Sequence, residues 1–160
     1  LLAARAFPEA AILLSDFDSS ALSLAVENIE AHGRAAQVRC LRADLLSALA
    51  PGSVDILLAN PPYVSAEEMA ELPPEYAHEP GMALEAAAEG TALAVRLLHE
   101  ASSVLSPRGL LFLEVGETAS TLEEALPRVP FFWVDLPQGG SGVTVISAQE
   151  LRDWSAAGVL

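Results

Sequence analysis

Short apolar runs alternate along the chain with stretches in which apolar residues return every third or fourth position. Runs of the first kind make buried strands, and stretches of the second kind make helices with one buried face. Their alternation predicts a sheet built from β–α–β units. Residues 11–15 (AILLS) form a short run that ends at Asp16. Leu22, Ala25, Val26 and Ile29 then recur at helical spacing until Gly33 stops the helix. Residues 37–41 read as a weaker strand and residues 54–59 (VDILLA) as a stronger one, running straight into Asn60-Pro61-Pro62-Tyr63. Leu93, Leu97, Ala101 and Val104 mark a second long helix, closed by Pro107. Residues 110–115 (LLFLEV) are the most apolar strand, as the centre of a parallel sheet requires. Residues 131–136 and 143–146, joined across Gly139, Gly140, Ser141 and Gly142, predict an antiparallel hairpin that ends the sheet. The expected fold is α/β, a doubly wound and mostly parallel sheet closed by that hairpin.

In such a sheet the ligand sits at the carboxyl ends of the strands, and a glycine-rich turn after the first strand supplies backbone N–H groups to it. Residues 1–7 (LLAARAF) instead read as the tail of a helix, with no glycine cluster before them. The expectation is a chain that begins after its own first strand.

Composition narrows the chemistry. Hydrophobic types make up 52% of the 160 residues and charged types 19%, which fits a folded domain and not a disordered tail. Every basic residue is an arginine, so Schiff-base and pyridoxal chemistry, which need a lysine amine, are excluded for this chain. The single cysteine, Cys40, allows no internal disulfide and fits a reducing, cytoplasmic compartment. No apolar run approaches the length of a membrane helix. A net charge of −14 argues against a broad nucleic-acid footprint and favours a basic or neutral partner. His32, His78, His99 and Cys40 lie far apart without metal-ligand spacing, so no metal site is expected.

The most specific signal is Asn60-Pro61-Pro62-Tyr63 after a strand. Two successive prolines remove two backbone donors and fix both φ angles, giving a stiff platform. The side-chain carbonyl of Asn60 and the backbone carbonyl of Pro61 are then free to accept hydrogen bonds from a planar NH2 group, with Tyr63 against its flat face. Holding both hydrogens of an amide or exocyclic amine turns its nitrogen lone pair toward an electrophile, which is catalysis by orientation. The plain alternative is a proline turn with Tyr63 as packing. Asp16, at a strand end, is placed to reach ribose hydroxyls, and Asp44 to accept from an adenine amino group, with Phe17 and Leu45 flanking the ring. For both acids the competing role is a helix cap, a job that Asp18 and Ser19 equally fit. Residues 65–89 carry seven glutamates, and no arginine lies between Arg42 and Arg96. This stretch reads either as a solvated loop or as an acidic lip that attracts a basic substrate.

Together these residues resemble a class I S-adenosylmethionine-dependent methyltransferase with a Rossmann-like sheet, and more narrowly the protein-glutamine methyltransferases. The resemblance runs nearly end to end. It is carried by Phe7-Pro8-Glu9-Ala10, Asp16, Asn28-Ile29, His32-Gly33, Asp44-Leu45, residues 60–64 (NPPYV), His78-Glu79-Pro80, Glu114-Val115-Gly116, Val129-Pro130-Phe131 with Trp133, and the hairpin glycines. Thr144 stands where the family usually has Phe. The His-Glu-Pro and VPFxW segments look like the PrmB branch, which acts on a large-subunit ribosomal protein; the release-factor branch, PrmC, is the near alternative. The resemblance implies that Asn60, Pro61, Pro62 and Tyr63 hold the substrate amide, joined at the substrate by His78 and Glu79. It implies too that Asp16, Phe17, Asp44, Leu45 and Asn60 bind S-adenosylmethionine. The substrate would be a basic ribosomal protein or a release factor, with no metal, membrane or direct nucleic-acid contact.

Residues 1–160 would form a single catalytic domain lacking its first strand, the glycine-rich loop and the family's N-terminal recognition domain. Two other readings stay open: a nucleobase amino methyltransferase, and a non-catalytic fragment. In the second, loss of the strand between those ending at Asp16 and Asn60 leaves two unpaired edges, and the chain alone is unstable and inactive.

Overall fold

The predicted alternation forms, and its strands are divided between two sheets. The computed structural model describes residues 1–62, 91–137 and 140–160. It separates into two compact units, Leu1–Ala48 and Leu49–Leu160.

The first unit runs α1 (Leu2–Ala6), β1 (Ile12–Asp16), α2 (Ser19–Ala31) and β2 (Val38–Arg42). β1 and β2 pair in parallel, from Ile12 opposite Val38 to Asp16 opposite Arg42. Parallel pairing requires a crossover between the strands, and α2 supplies it. One core cluster joins Ala4, Ile29 and Val38, with Ile12 and Cys40 packed against them, and Leu22, Ala43 and Leu46 are buried as well. α2 starts where Asp18 Oδ1 accepts hydrogen bonds from the backbone N–H groups of Ser20 and Ala21. It ends at His32, whose ring Nδ1 lies 2.8 Å from the Asn28 carbonyl oxygen. Gly33 follows at φ +64°, a conformation that disfavours a side chain.

The second unit runs β3 (Val54–Ala59), α3 (Ala92–Val104), β4 (Leu105–Glu114), a 3-10 turn (Gly116–Thr118), α4 (Ala119–Ala125), β5 (Val143–Ser147) and α5 (Ala148–Ala156). The strand order is β3-β4-β5, with β4 parallel to β3 and antiparallel to β5. α3 and α5 touch each other and both touch β4. This layer buries Leu98, Leu105, Leu111, Leu113, Ile146 and Leu151 completely. Ser147 and Glu150 form a reciprocal capping box that starts α5 directly from β5. On the other face of the sheet, Ile56 is 47% exposed and Leu58 61%, with Leu110 exposed opposite Ile56.

This is the α/β architecture expected, parallel pairs with a closing antiparallel strand and no first strand among the described residues. Two details differ from the pattern. β4 starts at Leu105, directly from α3 and ahead of Pro107, so the proline lies inside the strand instead of ending the helix. The ladder tolerates this because the register slips there: Val54 pairs with Leu105 and Ile56 with Leu110. The antiparallel end is made by β5 on β4, while residues 131–136 contribute one bridge, Trp133 with Thr144. That segment is held by the Val134 N–H on the Val143 carbonyl at 2.7 Å and by side chains. The Phe131 ring stacks on Trp133 at 5.4 Å, and the Trp133 indole N–H donates to Glu123 Oε1 at 2.7 Å.

Candidate functional site

Both candidate acids of the first unit stand at the carboxyl ends of its parallel strands, where a doubly wound sheet receives its ligand. Asp16 closes β1 and is half-buried. Its Oδ1 accepts the backbone N–H of Asp18 at 2.8 Å. The capping role therefore belongs to Asp18. The N–H groups of Ser20 and Ala21, in that order, hold the Asp18 carboxyl below its ordinary value, and the Arg42 charge adds to the effect. Asp16 Oδ2 accepts no hydrogen bond among the described residues, and a free carboxylate oxygen on a half-buried turn fits a ribose hydroxyl.

Arg42, directly opposite Asp16 in the ladder, donates through Nε to the Phe17 carbonyl oxygen at 3.1 Å. Its guanidinium carbon also lies 5.9 Å from the centre of the Phe17 ring. The ring is 52% exposed. An exposed aromatic beside an open carboxylate fits a base and its ribose.

Asp44 follows β2 by two residues, and Ala43 N–H donates to the Asp16 carbonyl at 3.1 Å, tying the two strand ends together. A turn and not a helix follows Asp44, with Ser47 N–H on the Asp44 carbonyl. Leu45 adopts φ +47° in that turn, a region sparsely used by residues with a Cβ. Leu46 behind it is buried, which holds the turn in place.

In the second unit Asn60 and Pro61 continue β3 beyond its carboxyl end. Asn60 is exposed, Pro61 buried and Pro62 half-buried, so the rigid part of the platform is anchored while the amide side chain stays accessible. The ladder next to it ends with Ala59 opposite Leu113, followed by Glu114. Beyond Glu114, Val115 N–H donates to the Gly142 carbonyl at 2.8 Å, and Ser141 Oγ donates to Glu117 Oε1 at 2.7 Å. Gly142, at φ +66°, lies so close to Gly116 that a Cβ there would come within 2.1 Å of the Gly116 carbonyl oxygen. Glu114 and Glu117 are both exposed at this end of the sheet.

Asp16, Phe17, Asp44 and Leu45 thus belong to the first unit and Asn60, Pro61 and Pro62 to the second. Tyr63, His78, Glu79 and the acid-rich stretch 65–89 lie outside the described residues. Among the described residues no group of His, Cys, Asp and Glu has metal-binding geometry, and no helix is long and apolar enough to cross a membrane. Two features were missed in the sequence: the grip of Arg42 on Phe17 and the Glu117–Ser141 contact. Only strand register reveals the first, and a loop closure the second.

Three comparisons with known proteins bear on the family and the fold. A family profile described as the methyltransferase small domain matches residues 1–73. The chain is 36% identical over 151 residues to the ribosomal protein uL3 glutamine methyltransferase of Francisella tularensis, covering 94% of this chain and 48% of that protein. It is 36% identical over 148 residues to the protein of the same name from Neisseria gonorrhoeae, covering 92% of this chain and 49% of that protein. The chain therefore spans about half the length of the curated relatives it matches.

Among solved structures, a candidate O-methyltransferase of Nostoc punctiforme superposes with a TM-score of 0.57 at 14% identity, over 91% of this chain and 47% of that one. The S-adenosylmethionine-dependent methyltransferase SibL, in its apo form, does so with 0.54 at 18% identity, over 91% and 45%. These two carry the fold alone. The sequence matches relate the chain to the class I S-adenosylmethionine-dependent uL3 glutamine methyltransferases, over part of their length.

Proposed function

We propose that the protein carrying this chain transfers a methyl group from S-adenosylmethionine to the side-chain amide nitrogen of a glutamine in a basic, large-subunit ribosomal protein, in the cytoplasm. The observation that carries the reading is the placement of Asn60-Pro61-Pro62 just past β3, with Asn60 open to solvent and Pro61 buried. The name and 36% identity of the relatives support the choice of glutamine over a nucleobase. The net charge of −14 supports a basic partner.

S-adenosylmethionine, when bound, supplies a methyl group on a positively charged sulfur. The chain's own part is to bind and orient. Asp16 accepts ribose hydroxyls, Phe17 and Leu45 border the adenine, and Asp44 accepts from its amino group. Asn60, through its side-chain carbonyl, and Pro61, through its backbone carbonyl, accept the two hydrogens of the substrate amide. The stiff prolines keep that amide plane fixed. With Tyr63 against its face, the nitrogen presents its lone pair along one direction. Such positioning accounts for large rate effects without a covalent enzyme intermediate. His78 and Glu79 complete the substrate contacts in this reading.

The test is a methyl-transfer assay on the basic ribosomal protein with the full-length enzyme. Asn60→Ala is expected to lower kcat on the order of 100-fold, because it removes an orienting acceptor. Asp16→Ala is expected to raise the KM for S-adenosylmethionine about tenfold, the loss of one charge-assisted hydrogen bond. Transfer to nucleic acid and none to protein would overturn the reading.

A further inference from the structure

We propose that Arg42 is a positioning residue for the cofactor, which it serves by fixing the Phe17 ring as one wall of the adenine slot. This rests on the cofactor reading above and goes beyond it, since that reading assigns Arg42 nothing.

Four observations meet at this residue. Arg42 sits opposite Asp16 in the parallel ladder, so its side chain starts at the strand end where the ribose carboxylate stands. Its Nε donates to the Phe17 carbonyl oxygen at 3.1 Å, which fixes the backbone on which the ring is carried. The same guanidinium lies over the ring at 5.9 Å, inside the range of a cation–π contact. The ring is still 52% exposed, so one contact restrains it while much of its surface remains open.

An exposed phenylalanine on a turn samples several rotamers, and a stacking ligand must freeze them. A planar cation already resting on the ring removes part of that cost before the ligand arrives. Lysine cannot do both jobs, because its ammonium has neither the flat face nor the Nε fork. The position also carries a charge role, since Arg42 acts on Asp18 as well. A test must therefore separate ring placement from charge.

The experiment is titration calorimetry of S-adenosylhomocysteine into the full-length protein, with variants Arg42→Met, Arg42→Lys, Phe17→Leu, the Arg42→Met/Phe17→Leu pair and Asp16→Ala. Arg42→Met is expected to raise Kd about fivefold, the size of a partly exposed cation–π contact together with a hydrogen bond. Arg42→Lys, which keeps the charge, is expected to recover less than half of that loss. The paired variant is expected to bind no worse than Phe17→Leu alone, because Arg42 acts through the ring. KM for S-adenosylmethionine should rise in parallel while kcat at saturation stays unchanged, a split that a general loss of folded protein would not give.

Full recovery by Arg42→Lys makes the effect one of charge and overturns the proposal, and so does a paired variant that multiplies the two single losses. Wild-type binding that Asp16→Ala weakens and Arg42→Met leaves untouched overturns the proposal alone. No binding by the wild type, or an Asp16→Ala variant that binds equally well, overturns the cofactor reading and the proposal with it.

Discussion

The two units build their strand ends by different means. In the first, a core of Ala4, Ile29 and Val38 supports a turn held by polar contacts: Asp18 N–H on Asp16, Ser20 and Ala21 N–H on Asp18, and Arg42 on Phe17. In the second, Asn60 and Pro61 grow from a strand whose neighbour β4 buries Leu105, Leu111 and Leu113 completely. One candidate site is shaped by hydrogen bonds over a smaller apolar core. The other is shaped by two prolines and a deep core. A polar turn can adjust to a ligand, while a proline platform on a packed strand presents one geometry.

Truncation in the two cores gives the largest contrast. Leu113→Ala is expected to cost about 4 kcal/mol and Ile29→Ala about 2 kcal/mol, because Leu113 has neighbours on every side and Ile29 a smaller cluster. Both tryptophans, Trp133 and Trp154, belong to the second unit. Tryptophan fluorescence in a denaturant titration therefore follows Leu113→Ala, and amide exchange across residues 1–48 follows Ile29→Ala. Equal losses would dissolve the contrast.

A smaller gain is expected from Thr144→Val. Thr144 is fully buried in β5, and its hydroxyl has no hydrogen-bond partner among the described residues. Removing that hydroxyl while keeping the branched shape should raise stability by about 1 kcal/mol, read as a later tryptophan transition. No change would show that the hydroxyl is satisfied.

The smallest effect belongs to Asp18 and depends on pH. Its carboxyl is held below its ordinary value of 3.8 in the folded chain, chiefly by the Ser20 and Ala21 N–H groups. The cap therefore contributes fully above that value and is lost as pH falls through the lower folded value. The Ser20 and Ala21 amide resonances should shift together below pH 3.8 and stay flat in Asp18→Asn. Titration of these amides at higher pH would remove Asp18 from the cap.

Much of this contrast is legible in the sequence, unevenly. The run 54–59 coincides with β3, because six largely apolar residues followed by two prolines leave little other choice. α2 and its glycine stop are equally plain, and Asp16 and Asp18 are visible as acids near a helix start. Which of them caps the helix is decided by backbone direction at the turn, which no local pattern encodes. The opposition of Arg42 and Asp16 needs the register of two strands separated by a helix, a tertiary property. The left-handed turn at Leu45 is hidden for the same reason: leucine gives no local sign of it, and buried Leu46 enforces it. The early start of β4 contradicts the usual weight given to a proline. A register slip between Val54 and Ile56 absorbs the missing donor.

The exposed apolar side chains of the β3–β4 pair affect how the chain behaves in bulk. Ile56, Leu58 and Leu110 form an apolar strip, and the chain carries a net charge of −14. Repulsion between copies is long-ranged at low salt and fades once the screening length shrinks to about 10 Å near 0.1 M. The attraction between apolar strips is short-ranged and is not screened. Added salt should therefore drive this chain toward association, the reverse of its effect on a complex held by opposite charges. Single copies are therefore expected to persist longer in dilute buffer than in physiological saline, a difference that light scattering at two salt concentrations reads directly.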